Sequence, residues 1–143
     1  MSTTVEMAIA NFGCGFNCAQ SVVEPFCKKY CADRDSVLKA CAGFGHGFRL
    51  SEICGAISGA AVVIGLKYGK DSTTNRAEKE NCNKKTLEFM NKFQESNPSI
   101  ICREVLKSSA ETHKNGQPLQ IQGRSSCENM IISAVNLLEE LGY

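Results

Sequence analysis

An uncharged, mainly apolar stretch of 14 residues, from Ile53 to Leu66, limits the possible folds more than any other part of the sequence. A helix that spans a membrane needs roughly 20 apolar residues, so this stretch is too short to cross a bilayer. It is typical instead of a helix buried in a protein core. We therefore expect no membrane insertion.

Two glycines inside this stretch predict how the helix packs. The helix is expected over residues 52–68, and Gly69 is well placed to end it. Gly55 and Gly59 are four residues apart, with alanines nearby, so they lie on one face and allow a second helix to approach closely. We expect this helix at the centre of the fold.

Helical spacing of apolar residues also describes the rest of the chain, and no segment shows the alternation typical of a strand. Asn17 with Gln20, and Ser125 with Glu128, have the spacing of capping boxes, which begin helices. The sequence thus predicts an all-α protein, a single helical domain over residues 1–143 with five to six helices. The other helices are expected at about residues 17–30, with a kink at Pro25, then 33–41, 74–94, 100–106 and 125–141, and loops at 43–47 and 113–122.

The charges of the chain nearly cancel, with 16 Lys and Arg against 15 Asp and Glu and a formal net charge of +1. Such a balance gives no large field to attract nucleic acid or an anionic membrane, so we expect neither as a partner. The first dozen residues contain Glu6 and lack the basic start and apolar block of a signal peptide. We therefore expect a cytoplasmic protein.

Nine cysteines are the most unusual feature of the composition. They cannot all pair within the chain, and in a reducing compartment an excess of cysteine favours metal binding or redox chemistry over cross-linking. The N-terminus of a helix favours the thiolate form that both kinds of chemistry need, because its backbone N–H groups are unpaired and its dipole is positive there. Four cysteines fall in predicted first turns and form the candidate site, namely Cys18, Cys54, Cys102 and Cys127.

The other cysteines and one histidine have more ordinary explanations. Cys14, between two glycines, is either an accessory thiol of this site or part of a turn. His46, in the glycine-rich segment, is either an accessory base or metal ligand or an exposed loop residue. The spacing of the first four cysteines also permits a zinc site, a less favoured alternative. The cysteines expected to be mainly structural are Cys27, Cys31, Cys41 and Cys82.

A six-residue motif and the order of the cysteines resemble a known family. Cys54-Gly55-Ala56-Ile57-Ser58-Gly59 matches, at every fixed position, the Cys-Gly-Ala-x-x-Gly motif of the redox-active proteins labelled C_GCAxxG_C_C. The resemblance covers nearly the whole chain. It implies a redox role for four cysteines but brings with it no substrate or partner. Besides Cys54, the residues similar to the family's cysteine segments are Asn17-Cys18-Ala19-Gln20, Cys102 and Cys127.

Three functions are open at this point. In the first, the four thiols converge at one end of a helical bundle and act as an oxidoreductase by thiol–disulfide or electron-transfer chemistry, with Cys54 as the attacking thiolate. A redox partner protein or a small oxidant would be the reactant. In the second, the same thiolates hold an iron–sulfur cluster or a single zinc or iron ion. In the third, the cysteines are ordinary core residues of a non-catalytic helical interaction module. A homodimer through Gly55 and Gly59 is a further alternative, behind packing within the chain.

Overall fold

Seven α-helices make up most of the described chain. The computed structural model describes residues 1–70, 75–111 and 125–143, without the side chains of residues 108–111. Within these ranges there is no strand, so the all-α class is confirmed, with seven helices where five to six were predicted. In chain order they are α1 (Thr3–Gly13), α2 (Cys18–Val23), α3 (Arg34–Ala40), α4 (Gly55–Tyr68), α5 (Arg76–Ser96), α6 (Cys102–Glu111) and α7 (Ser126–Glu140).

Local capping groups begin several of these helices. Asn17 Oδ1 accepts a hydrogen bond from the Gln20 backbone N–H at 2.9 Å, and Gln20 Oε1 accepts one from the Asn17 N–H at 3.1 Å, which completes the predicted capping box of α2. Ser125 Oγ accepts from the Glu128 N–H at 3.2 Å at the start of α7. These bonds satisfy N–H groups that a helix leaves unpaired at its first turn.

The N-terminal part of the chain differs from the prediction in two ways. Helix α1 was not predicted; Ser2 caps it, and its Val5 and Ala8 are buried in the core. The α-helix that starts after Asn17 ends at Val23 and continues as a 3-10 turn through Pro25, where a kinked helix was predicted. Proline lacks the N–H group that would extend an α-helical ladder, which accounts for the early end.

Helix α4 begins three residues later than predicted because the preceding segment pairs with another part of the chain. The Cys54 N–H donates to the Ile100 carbonyl at 2.8 Å, and the Cys102 N–H donates to the Glu52 carbonyl at 2.5 Å. Ile53 and Ile101 thereby form an isolated antiparallel bridge. The Glu52 carbonyl and the Cys54 N–H are used across this bridge, so they are not available to extend the helix to residue 52.

The two glycines of α4 allow α2 to pack directly on its backbone, as predicted. A Cβ atom added at Gly59 would lie 2.6 Å from the Ala19 carbonyl oxygen, and one at Gly55 would lie 3.0 Å from Cys18 Cβ. Helix α4 also contacts α5 and α7, which confirms its central position. The small-residue face is thus occupied within the chain.

The buried apolar residues form one continuous core to which α1, α2, α4, α5 and α7 contribute. In α7 the predicted apolar face is buried from Met130 to Leu138. In α5 the apolar spacing predicts a face of Leu87, Met90 and Phe93, and this was partly wrong. Phe93 and Phe89 are buried, whereas Leu87 is 59% exposed. None of the described helices is long and apolar enough to cross a membrane. The loop predicted at residues 113–122 lies outside the described residues.

Candidate functional site

The N-termini of four helices meet at one cavity, and each brings a cysteine to it. Cys18 is the first residue of α2, Cys54 is the N-cap of α4, Cys102 is the first residue of α6, and Cys127 is the second residue of α7. All four line a cavity of about 210 Å³. The structure therefore brings the four predicted site residues together; their chemical role remains a prediction.

Glycine packing places Cys18 beside the start of α4. The Cβ atom that Gly55 lacks would lie 3.0 Å from Cys18 Cβ and 3.2 Å from the Ala19 nitrogen. A side chain at this position would push α2 away from Cys54. The Cys-Gly pair of the motif therefore allows two cysteine-bearing helix ends to approach each other.

Cys54 and Cys102 are held together by the backbone pairing of residues 52–54 with residues 100–102. An exposed ion pair reinforces this pairing, since Arg103 Nη1 lies 2.6 Å from Glu52 Oε1. Both thiols are buried, with 5% of Cys54 and 8% of Cys102 exposed. Among the described residues, the cavity gives both thiols a route to solvent.

Cys18 and Cys127 are neighbouring thiols of the cavity whose pKa values shift in opposite directions. Hydrogen bonding with the Cys18 thiol lowers the pKa of Cys127 to about 7 although burial opposes the shift. The same bond, with burial, raises the pKa of Cys18 far above its usual range. Cys127 is therefore the thiol of the cavity that the structure favours as a thiolate, with Cys18 as its proton donor.

The prediction that each helix start lowers the pKa of its cysteine was wrong for Cys18, Cys54 and Cys102. Burial raises the pKa of Cys54 to about 11, although the backbone N–H groups of Ala56 and Ile57 act in the opposite direction. Burial also raises the pKa of Cys102. Burial destabilises the Cys54 thiolate more than the helix dipole stabilises it, so Cys54 is not the favoured attacking thiolate.

A left-handed turn forms another wall of the cavity, where the sequence predicted a plain loop. His46, Gly47, Phe48 and Arg49 have φ angles of 52°, 58°, 58° and 63°. A left-handed backbone costs a non-glycine residue about 1–2 kcal/mol, so the surrounding structure must hold this turn in place. Gly47 is required, because an added Cβ would lie 2.4 Å from the Glu52 nitrogen and 2.8 Å from Cys102 Cβ.

Two polar side chains of this turn line the cavity. His46 Nε2 lies 2.9 Å from Ser51 Oγ, so the imidazole has a fixed partner and an accessory role stays a prediction. Arg49 was not singled out from the sequence, although a basic residue just before the Cys54 motif was a usable signal. The apolar lining comes from Phe12, Val105 and Leu106.

The other five cysteines lie outside this cavity. Cys14, at the end of α1, is exposed and does not line it, so the structure gives no support for an accessory role. Cys27 and Cys41 are buried, as expected of structural residues. Cys31, also expected to be mainly structural, is exposed in a turn with a φ angle of 52°. Cys82 is half-buried on α5.

The positions of the possible donor side chains bear on the metal alternatives. Four thiolates are suitable donors for zinc or for an iron–sulfur cluster. However, among residues 1–70, 75–111 and 125–143 no three Cys, His, Asp or Glu side chains lie close enough to share a metal ion. The residues as placed therefore do not fit a single zinc or iron ion, including the zinc site that the spacing of the first four cysteines permits. An iron–sulfur cluster, which binds its thiolates through several iron atoms, stays a prediction.

Comparison with known families agrees with the arrangement of the cysteines. Residues 16–141 match the model of the C_GCAxxG_C_C family, whose description is "Putative redox-active protein". The chain belongs to this family. All four cavity cysteines fall within the matched region of the C_GCAxxG_C_C model, so the resemblance inferred from the motif is confirmed. Comparisons with curated proteins and with solved structures gave no match.

Proposed function

We propose that this redox-active protein carries out thiol–disulfide exchange, with Cys127 as the attacking thiolate and Cys18 as the resolving thiol. The observation that carries the proposal is that these two thiols line one cavity open to solvent, where the Cys18 thiol lowers the pKa of Cys127. Both residues are half-buried, so they are more accessible than Cys54 and Cys102. A favoured thiolate next to a second thiol is the arrangement that a dithiol mechanism needs.

The proposed reaction takes two electrons from the protein thiols. The Cys127 thiolate attacks one sulfur of a disulfide R–S–S–R, forms a mixed disulfide and releases one R–S⁻ group. Cys18 then gives up its proton, attacks the Cys127 sulfur and releases the second R–S⁻ group. The two released groups are protonated to thiols, and the protein is left with a Cys18–Cys127 disulfide. A dithiol reductant would return it to the reduced form.

Cys54 and Cys102 belong to the proposed site as neighbouring thiols that do not make the first attack. Their raised pKa values keep them protonated near neutral pH. All nine cysteines are free thiols in the structure, which agrees with work in a reducing compartment such as the cytoplasm. We propose the cytoplasm as the site of action on this basis.

A single-turnover experiment tests the proposal. Fully reduced protein, freed of reductant, is mixed with hydroxyethyl disulfide, quenched with acid at set times, alkylated and mapped by mass spectrometry. The intact protein should release two thiols for each disulfide consumed and form a Cys18–Cys127 bond. Cys18→Ser should release one thiol and keep the adduct on Cys127, whereas Cys127→Ser should form no adduct in the cavity. Cys14→Ser, which removes an exposed thiol outside the cavity, should form the bond at the normal rate.

Other outcomes would select the competing functions. If the Cys127→Ser variant reacts within the cavity as fast as the intact protein, the assignment of the attacking thiol is wrong. If only Cys14 and Cys31 react before denaturation, the cavity thiols are inert and the helical interaction module is the better account. Iron, zinc and acid-labile sulfide measured on protein purified without oxygen would reveal a cluster or metal site, which the proposal predicts to be absent.

A further inference from the structure

The left-handed turn at residues 46–49 sets the charge at the cavity that holds the thiols. Arg49 and His46 both line the cavity from this turn. A backbone conformation that most residues avoid is kept where the surrounding structure requires it, and such conformations cluster at binding and catalytic sites. Here its result is that a cation and an imidazole share the wall with Cys18 and Cys127.

Among the described residues that line this cavity, the charge is positive. Arg49 has no hydrogen-bond or ion-pair partner among the described residues. None of the described lining residues is acidic. The neighbouring Glu52 forms an ion pair with Arg103. Glu128 acts electrostatically on Cys127 and also interacts with Ser125. The N-termini of four helices add partial positive charge at the same place.

The size and lining of the cavity limit what can bind. Its volume of about 210 Å³ is below the range of roughly 300–1,000 Å³ typical of sites for drug-sized ligands. Phe12, Val105 and Leu106 give it an apolar wall suited to short carbon chains. A short aliphatic molecule with an anionic end therefore matches both the lining and the charge.

From these observations we propose that the substrate is a small disulfide that carries carboxylate groups, with one carboxylate bound by Arg49 and His46. This inference rests on the proposed thiol–disulfide function and names its substrate class. The guanidinium group suits a planar carboxylate because it can donate two parallel hydrogen bonds. Arg49 takes no part in the electron transfer. Cys127 attacks the disulfide sulfur, Cys18 resolves the mixed disulfide, and two carboxylated thiols leave.

A series of three disulfides of similar size and different charge tests this inference. Single-turnover rate constants for adduct formation at Cys127 are measured with dithiodiglycolate, which is anionic, hydroxyethyl disulfide, which is neutral, and cystamine, which is cationic. Each rate constant is divided by that of a free small thiol with the same disulfide, which removes the intrinsic reactivity. The intact protein should prefer the anionic disulfide, and the preference should weaken as salt is raised.

Variants assign this preference to Arg49. Arg49→Gln should slow the reaction with dithiodiglycolate by about 3- to 5-fold, the size expected for an exposed pair of opposite charges. It should leave hydroxyethyl disulfide unchanged and speed the reaction with cystamine. Arg49→Lys should keep part of the preference, since the charge remains. Lys92→Gln makes the same charge change on α5, away from the cavity, and should alter none of the three rates.

The failures of the two proposals can be told apart. If the intact protein reacts with hydroxyethyl disulfide at Cys127 but shows no charge preference, the substrate class is wrong and the thiol–disulfide function stands. If Arg49→Gln changes all three rates equally, Arg49 supports the structure of the turn and does not select the substrate. If none of the three disulfides reacts at Cys127, the proposed function and this inference both fail.

Discussion

Replacement of Gly59 by alanine tests whether the close contact between α2 and α4 determines the stability of the fold. The added methyl group would lie 2.6 Å from the Ala19 carbonyl oxygen, 3.0 Å from Ala19 Cα and 3.1 Å from Val22 Cβ. The first distance is about 0.8 Å short of the 3.4 Å at which ordinary contact begins. Two of the three atoms belong to the backbone, so a change of side-chain rotamer cannot relieve the clash and α2 must move.

Two opposing effects give the expected size of this change. Extra methyl groups in a well-packed core cost about 1–3 kcal/mol, and the rigid backbone contact places Gly59→Ala in the upper half of that range. Alanine in a helix is favoured over glycine by about 0.5–1 kcal/mol. The free energy of unfolding should therefore fall by about 1–2 kcal/mol. Gly65 in the same helix has nothing within 4 Å of an added Cβ, so Gly65→Ala should raise it by about 0.5–1 kcal/mol.

Urea unfolding followed by circular dichroism measures both effects in one experiment. The two variants should shift the midpoint in opposite directions with the same dependence on urea concentration, because neither changes the surface exposed on unfolding. If Gly59→Ala is stabilised as much as Gly65→Ala, the two helices separate without cost. The close contact of α2 with α4 at Gly59 would then contribute nothing to the stability of the fold.

Two further predictions concern the thiol pair and the start of α2. With a pKa of about 7, Cys127 is about half ionised at pH 7, and in Cys18→Ala its pKa should return towards 9.0. Adduct formation at pH 7 should then slow by about 5- to 8-fold. The smaller fraction of thiolate lowers the rate, and the greater nucleophilicity of a thiolate with a higher pKa offsets part of this loss. Cys18→Ser keeps a hydrogen-bond donor for the Cys127 sulfur and should react at close to the normal rate. Equal rates in the two variants would show that the hydrogen bond does not cause the lowered pKa of Cys127. Asn17→Ala should lower the free energy of unfolding, measured by urea unfolding, by about 1–3 kcal/mol. The variant loses the helix cap and the hydrogen bonds that Nδ2 donates to the Cys41 and Ala42 carbonyls at 3.1 and 3.2 Å. Asp33→Ala, at an exposed cap, should cost about 1 kcal/mol, and an equal loss in both variants would contradict the role given to the Nδ2 bonds.

The parts of the fold that local chemistry controls were predictable. Asn17 and Ser125 cap their helices as the sequence indicates, because a cap bonds to backbone groups two or three residues away. The spacing of Gly55 and Gly59 identified a face for close packing, because residues four apart in a helix lie on the same face. Helix α1 was not predicted because its first turn is mainly polar, so the apolar face formed by Val5 and Ala8 was not recognised.

The features that depend on distant residues were not predictable. The pairing of residues 52–54 with residues 100–102 moved the start of α4, and it joins segments far apart in the chain. The left-handed turn at His46 has only one glycine among its four residues, so local preference argues against it. The surrounding contacts, such as Gly47 against Cys102, hold the turn in place.

The sequence by itself determined that the protein is helical and that four cysteines stand at the starts of helices. It could do so because caps and helical periodicity depend on neighbours within about four residues. Only the tertiary structure decided which thiols meet at one cavity and which of them is favoured as a thiolate. A thiol's pKa depends on its partners and on its burial, and both arise when distant segments pack together. Cys127 gains a proton donor from α2, whereas Cys54 loses contact with water.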